Sequence, residues 1–263
     1  MKIKLLALIS CVALFACKGN LEKTYSPEPI AANQTFDEIP KSEKAIFTLV
    51  KIDSNRADGQ EHFKIQYRDT TLSVQNGKNK LAVEFRNARF VNSQNTAVVA
   101  QVVDSTQNVA PFYVFALKDG SVEVMSLDKA SKGKNDGLYT QGLVELTRTN
   151  FVINNDYIVN SVSGKINTIK RQNPDERIQG KFLMYSRDKT TLVFLTEKEL
   201  YQVNYRNGET QSLTVPASLL ANAAGIQNEI ASNYSWTTNN HGTPFLKYNG
   251  NSDRIVDISE FKK

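Results

Sequence analysis

Two histidines, His62 and His241, are the whole supply of imidazole in the chain, and imidazole is the side chain that most readily moves protons near neutral pH. His62 lies in "EHFKIQY", where Phe63, Ile65 and Tyr67 alternate inward and leave His62 with Lys64 and Gln66 on the polar face of a strand. A solvated strand histidine is the expectation. His241 stands in "NYSWTTNNHGTPF", close to Tyr234, Trp236, Asn239 and Asn240. Rings of this kind stack on a sugar or a peptide while amides supply hydrogen bonds. It is the one local cluster with the chemistry of recognition. The competing reading makes Trp236 a core residue and Asn239–Gly242 a turn, because large aromatics are mostly buried.

Other constellations fail on spacing or context. Ser-x-x-Lys occurs at Ser126/Lys129, Ser131/Lys134 and Ser186/Lys189, but all three fall in strand ends or loops, whereas an acyl enzyme needs the amine beside the nucleophile on a helix. "DSNRADGQE" (53–61) has the acidity of a calcium loop but places Ala57 where an oxygen ligand is required. There are neither paired cysteines nor a His-Glu-x-x-His helix for zinc, nor a glycine-rich phosphate loop. No cofactor and no metal is expected. Asp104, Asp156 and Glu197 end apolar runs, and carboxylates from such positions could converge in a channel. A glycan hydrolase or lyase would need two of them about 5 to 10 Å apart.

The elements that would position these residues are strands. Past residue 44 short β-branched and aromatic runs are broken by Gly, Asn and Asp, an all-β pattern. "TAVVAQVV" (96–103) and "TTLVFL" (190–195) are apolar at consecutive positions, which implies sheets covered on both faces. A turn follows a strand and precedes a shorter one in "QYRDTTLSV", "FALKDGSVEV", "VNSVSGKINTI", "VNYRNGETQSL" and "LKYNGNSDRIV". With Asp69, Asp119, Gly164, Gly208 and Gly250 as markers, the spacing runs from about 42 to 50 residues, the period of propeller arrays. Residues 181–215 divide into candidate strands at 182–186, 190–196, 199–205 and 209–215, and residues 88–127 divide in the same way. Residues 45–263 thus resemble a β-propeller of about five blades, each a four-stranded meander. "VPASLLANAAGIQNEI" (215–230) interrupts the pattern with a short predicted helix near 216–230 that begins at Pro216, carries Leu219, Leu220 and Ala223 at helical spacing and has Gly225 near its end.

The amino terminus supplies an address. Lys2 and Lys4 precede an apolar run, Leu5 to Ala16, too short for a spanning helix and built like a secretory signal over residues 1–16. Leu14-Phe15-Ala16-Cys17 resembles the lipobox of bacterial lipoproteins, and that resemblance implies a diacylglyceryl group on the Cys17 sulfur and, usually, a further palmitate-like chain on the new amino group. Lys18 stands where inner-membrane retention wants aspartate, so the resemblance implies the outer membrane. Residues 17–44, polar and carrying Pro27, Pro29 and Pro40, are expected as a lipidated tether.

The chain has 32 Lys and Arg against 27 Asp and Glu, a formal charge of +5. Loss of Lys2 and Lys4 with the signal leaves about +3, with both signs interspersed, which does not suggest nucleic acid. The expectation is a non-catalytic, lipid-anchored binding or scaffold domain for an envelope protein or polymer, held to the membrane by its lipid. The alternative is the envelope hydrolase or lyase with channel carboxylates.

Overall fold

The computed structural model describes residues 21–52, 61–76, 80–102, 111–127, 142–171, 173, 177–216 and 225–250. Three short strands come first: β1 (Leu21–Tyr25), β2 (Glu28–Pro29) and β3 (Gln34–Thr35). Antiparallel meanders follow one another along the chain. The first holds β4 (Phe47–Ile52), β5 (His62–Tyr67) and β6 (Thr70–Asn76), with β7 (Lys80–Ala82) paired to the end of β6. The second holds β8 (Phe85–Phe90), β9 (Ala97–Val102), β10 (Phe112–Lys118) and β11 (Ser121–Ser126), and the third holds β12 (Leu143–Glu145), β13 (Asn150–Ile153), β14 (Tyr157–Asn160) and β15 (Lys165–Thr168). The fourth holds β16 (Lys181–Tyr185), β17 (Thr191–Leu195), β18 (Glu199–Asn204) and β19 (Thr210–Thr214). Helix α1 (Ile226–Asn233) and the hairpin of β20 (Tyr234–Thr238) and β21 (Pro244–Tyr248) complete the described chain, which is nearly all β. Pairing of Phe63 with Phe85 joins the first two meanders into one curled sheet.

Core residues explain why these runs are apolar at successive positions. In β10, Phe112, Val114 and Ala116 face one apolar cluster while Tyr113, Phe115 and Leu117 face another. Val152 and Ile158 of the third meander turn away from its neighbours Phe151, Ile153, Tyr157 and Val159 to meet Leu192, Phe194 and Val203 of the fourth. Val193 and Leu200 point the other way, onto Ile226, Ile230 and Leu246. Each inner meander is therefore an apolar layer on both faces, stacked in chain order on the next. Period-two alternation sorts the side chains between two cores rather than between core and water.

The repeating turn falls on the last hairpin of the second, third and fourth meanders and between β5 and β6 in the first. Asp119 and Gly120 both have positive φ, 53° and 78°, the geometry of a type I′ turn that matches strand twist. Gly208 (φ 85°) closes a longer turn, with its N–H donating to the Asn204 carbonyl at 2.8 Å. Two expectations change. Residues 217–224, most of the expected helix, lie outside the described residues, and α1 starts after Gly225, which caps its beginning rather than marking its end. Ile226 and Ile230, one turn apart, bury the helix's only apolar stripe.

Residues 21–36, expected within a tether, are strands that cross the stack. β1 pairs parallel to β6, β2 pairs parallel to β11 and β3 pairs antiparallel to β15. The segment covers the outer edge of three successive meanders, where unpaired N–H and C=O groups would otherwise face solvent or another chain. Phe36 is buried beyond β3; its N–H donates to the Gly164 carbonyl at 2.8 Å, and its carbonyl accepts from Asn92 Nδ2 at 3.1 Å. Glu38 continues the lock, its carboxylate accepting from the Gly120 N–H at 2.9 Å and its carbonyl from the Thr96 hydroxyl at 2.8 Å. Composition hid this role, because edge pairing uses backbone groups and tolerates polar side chains.

Candidate functional site

The five residues expected to form one recognition cluster are divided by the hairpin. Tyr234 and Trp236 share a face of β20 and turn toward Val215, Ile226 and Leu246, Tyr234 buried and Trp236 half-buried. The Tyr234 ring meets that of Tyr248 edge-on, with centroids 5.3 Å apart. Asn239, Asn240 and His241 are exposed on the turn. There Asn239 Oδ1 accepts from the N–H groups of His241 and Thr243, at 3.0 and 2.9 Å. Across the turn, Glu209 accepts from Asn239 Nδ2 at 3.1 Å and lies 2.7 Å from His241 Nδ1, while Asn207 Nδ2 donates to the Thr243 hydroxyl at 2.9 Å. Hydrogen bonds from the Thr243 and Asn239 side chains, opposed by slight burial and aided by His241, hold the Glu209 carboxyl below its ordinary value. These contacts clamp the β18–β19 turn to the last hairpin.

His62, expected in solvent, is fully buried, with Nδ1 3.9 Å from Glu84 Oε2. The burial is local to the start of β5, since Lys64 and Gln66 on the same face are only half-buried. Ser186 is buried in the β16–β17 turn, where its hydroxyl donates to Asp188 Oδ1 at 2.5 Å and accepts from the Thr190 and Thr191 N–H groups at 3.2 and 3.0 Å. It shapes the turn. Asp156 is buried against Arg171, which also donates to the Asn155 carbonyl at 3.1 Å, and Glu197 is exposed on the β17–β18 turn. Cys17 and Asp104 lie outside the described residues, as do 53–60, Lys129, Ser131 and Lys134.

A groove that sequence reasoning did not single out opens between the third and fourth meanders. The face of the third that meets the fourth is apolar at one end, where Val152, Ile158 and Ile169 enter the shared core. Past Val152 and Ile158 the same face carries the paired Asn150 on β13 and Asn160 on β14, with Lys165 of β15 opposite Asn160, while Asn167 of β15 lies beside Ile158. The sheets splay there around two adjoining hollows of about 390 and 340 Å³, which share Asn150, Ile158, Asn160, Tyr205 and Arg206. The period-two change from Val152 to Asn150 and from Ile158 to Asn160, residues that pair with one another across β13 and β14, was the available signal. It was invisible without the strand boundaries of the third meander.

The amide floor is fixed before any ligand arrives. Asn160 Nδ2 donates to Asn150 Oδ1 at 3.0 Å, Asn150 Nδ2 donates to the Thr147 hydroxyl at 3.1 Å, and Asn160 Oδ1 accepts from the Val162 and Ser163 N–H groups at 3.0 and 2.8 Å. Around this floor stand Lys165 and Lys170 from the third meander and Arg206 from the fourth, all exposed. None of the three has a side-chain hydrogen bond or ion pair among the described residues, although Arg206 lies over the Tyr205 ring, 5.9 Å from its centroid. Asp188, the acid of the second hollow, is occupied. Burial raises its pKa, but hydrogen bonds from the Ser186 and Thr190 hydroxyls and the Thr190 N–H outweigh that and hold it below its ordinary value. The groove is thus a cationic rim over a rigid bed of amides, with the Tyr185 and Tyr205 rings on its other wall.

No protein-family model matches the chain, and no curated protein matches it. Among the described residues no helix is long and apolar enough to cross a membrane.

Proposed function

We propose that this chain is a lipid-anchored, non-catalytic binding domain of the bacterial outer membrane, holding an envelope protein or polymer in the groove between its third and fourth meanders. The observation that carries the reading is the groove itself. Preset amides and unneutralised cations suit capture of a ligand more than they suit bond cleavage, and they sit on two rigid sheets. The stacked meanders support a propeller-like array of about five units, with α1, β20 and β21 following the fourth. The lipobox-like Leu14 to Cys17 supports the anchor. Since β1 begins at Leu21, a lipid on Cys17 would hold the stack within about 14 Å of the bilayer, at the 3.3 to 3.6 Å that each extended residue spans.

Two measurements test this. Cys17→Ser should abolish fatty-acid labelling and release the protein from the membrane fraction, since two or three acyl chains anchor durably where an apolar patch does not. A photo-crosslinking residue at Asn167, in intact cells, should give adducts absent when the same residue replaces Lys198, at the far end of the fourth meander. Equal adducts from both positions would remove the groove as the binding surface.

A further inference from the structure

We infer that the ligand held in this groove is an acidic saccharide, a sugar unit bearing a carboxylate. This rests on the groove being the binding surface. Three features define the chemistry. The half-exposed Asn167 amide, with the second Asn160 Nδ2 hydrogen and the remaining Asn150 Oδ1 lone pair, offers donors and acceptors of the kind sugar hydroxyls require. The Tyr205 and Tyr185 rings give apolar faces for the C–H side of a pyranose. Lys165, Lys170 and Arg206 bring positive charge from both walls, and the single acid at the rim is consumed by its own turn.

A neutral sugar would leave those cations without a partner. An acidic peptide would satisfy them but would use few of the amides, because a peptide's recurring hydrogen-bond groups are met best at a strand edge, and the groove floor is a sheet face. The two hollows together accommodate a few sugar units. Lys165, Lys170 and Arg206 line the first hollow, whereas the second sets Lys189 and Arg206 beside the Asp188 carboxylate and the Tyr185 ring, so the larger net positive charge implies the ligand's carboxylate in the hollow nearer Lys165 and Lys170.

The test is a calorimetric titration of the full chain in detergent with trigalacturonate, its methyl ester and a short polyglutamate. Trigalacturonate should bind at 50 mM salt and weaken several-fold at 300 mM, as screening shortens the reach of the cations. Lys165→Gln with Lys170→Gln should lower its affinity at least tenfold and flatten the salt dependence. Lys181→Gln with Lys198→Gln, which removes the same charge from the opposite end of the fourth meander, should change it less than twofold. Equal binding of the methyl ester, sensitive to Asn167→Ala but not to the lysine changes, would overturn the acidic assignment while leaving the groove a saccharide site. Groove-sensitive binding of polyglutamate alone would overturn the saccharide and keep the groove. Binding of no probe, or binding indifferent to every groove substitution, would overturn the inference; absence of groove-specific crosslinks at Asn167 as well would overturn the reading beneath it.

Discussion

Replacing Gly164 by alanine should detach the amino-terminal strands from the third meander, and replacing Gly242 by alanine provides the control. Both glycines have positive φ, 65° and 80°, so each substitution carries the left-handed penalty of about 1 to 2 kcal/mol for a residue with a Cβ. Their surroundings differ. A Cβ at Gly242 meets nothing within 4 Å, whereas one at Gly164 would lie 1.9 Å from the Phe36 carbonyl oxygen and 2.8 Å from its carbon. That backbone must move by more than an ångström. Its displacement breaks the Phe36 N–H bond to the Gly164 carbonyl and the Asn92 bond to Phe36, each of about 1 kcal/mol, and exposes part of the Phe36 ring at a further cost of about 2 kcal/mol. Gly164→Ala should therefore lose about 4 to 6 kcal/mol and Gly242→Ala about 1 to 2, by guanidinium unfolding of the full chain. Hydrogen exchange at the Phe36 amide should accelerate in the first variant alone. Equal losses, with that amide still protected, would refute the account of the strap.

Asp156→Asn should destabilise by about 3 to 5 kcal/mol by removing the carboxylate charge from the buried Asp156–Arg171 pair, and Asp156→Leu with Arg171→Met should recover most of that loss in a thermal melt. Because Glu209 is held below its ordinary value of 4.5, the unfolded chain takes up that proton first as pH falls. The stabilisation is complete above about pH 4.5 and disappears as pH drops through the lower folded value. Glu209→Gln should accordingly flatten the acid limb of the unfolding midpoint as pH falls below about 4.5; an unaltered limb would dissolve the turn-to-turn clamp. Trp236→Ala should cost about 2 to 3 kcal/mol of stability, less than a fully buried tryptophan, and leave crosslinking from Asn167 unchanged.

The strands of the second and fourth meanders were legible because their apolar runs are bounded by turn residues that permit one register. β17, β18 and β19 lie within the expected 190–196, 199–205 and 209–215. The third meander was obscure since its strands are short and half their face is amide, which lowers the contrast between strand and loop. His62 misled because alternation identifies two faces without saying where along the second is wet, and that face is buried at the start of β5 but only half-buried at Lys64 and Gln66. The amino-terminal strands left no pattern at all, for Glu28, Pro29, Gln34 and Thr35 pair through the backbone. The groove was likewise spread over three strands and a distant turn, a juxtaposition that only stacking creates, whereas the local string around Trp236 drew notice by composition and proved to be divided between core and turn.

The strap also imposes an order in time. Thr24 reaches Ser73 forty-nine residues away, and β2 and β3 wait for β11 and β15, which are made later still. A chain that emerges amino terminus first can pair β1 once β6 is made and β2 once β11 is made, but β3 only when the third meander has formed, and closing long loops is slow because their entropy is lost before the contacts form. The outer edge of each of these three meanders thus remains open during synthesis, when another strand could add to it, until its amino-terminal strand docks. Completion of the third meander is the moment at which the last of these strands can lock down and the last of these edges is sealed from within.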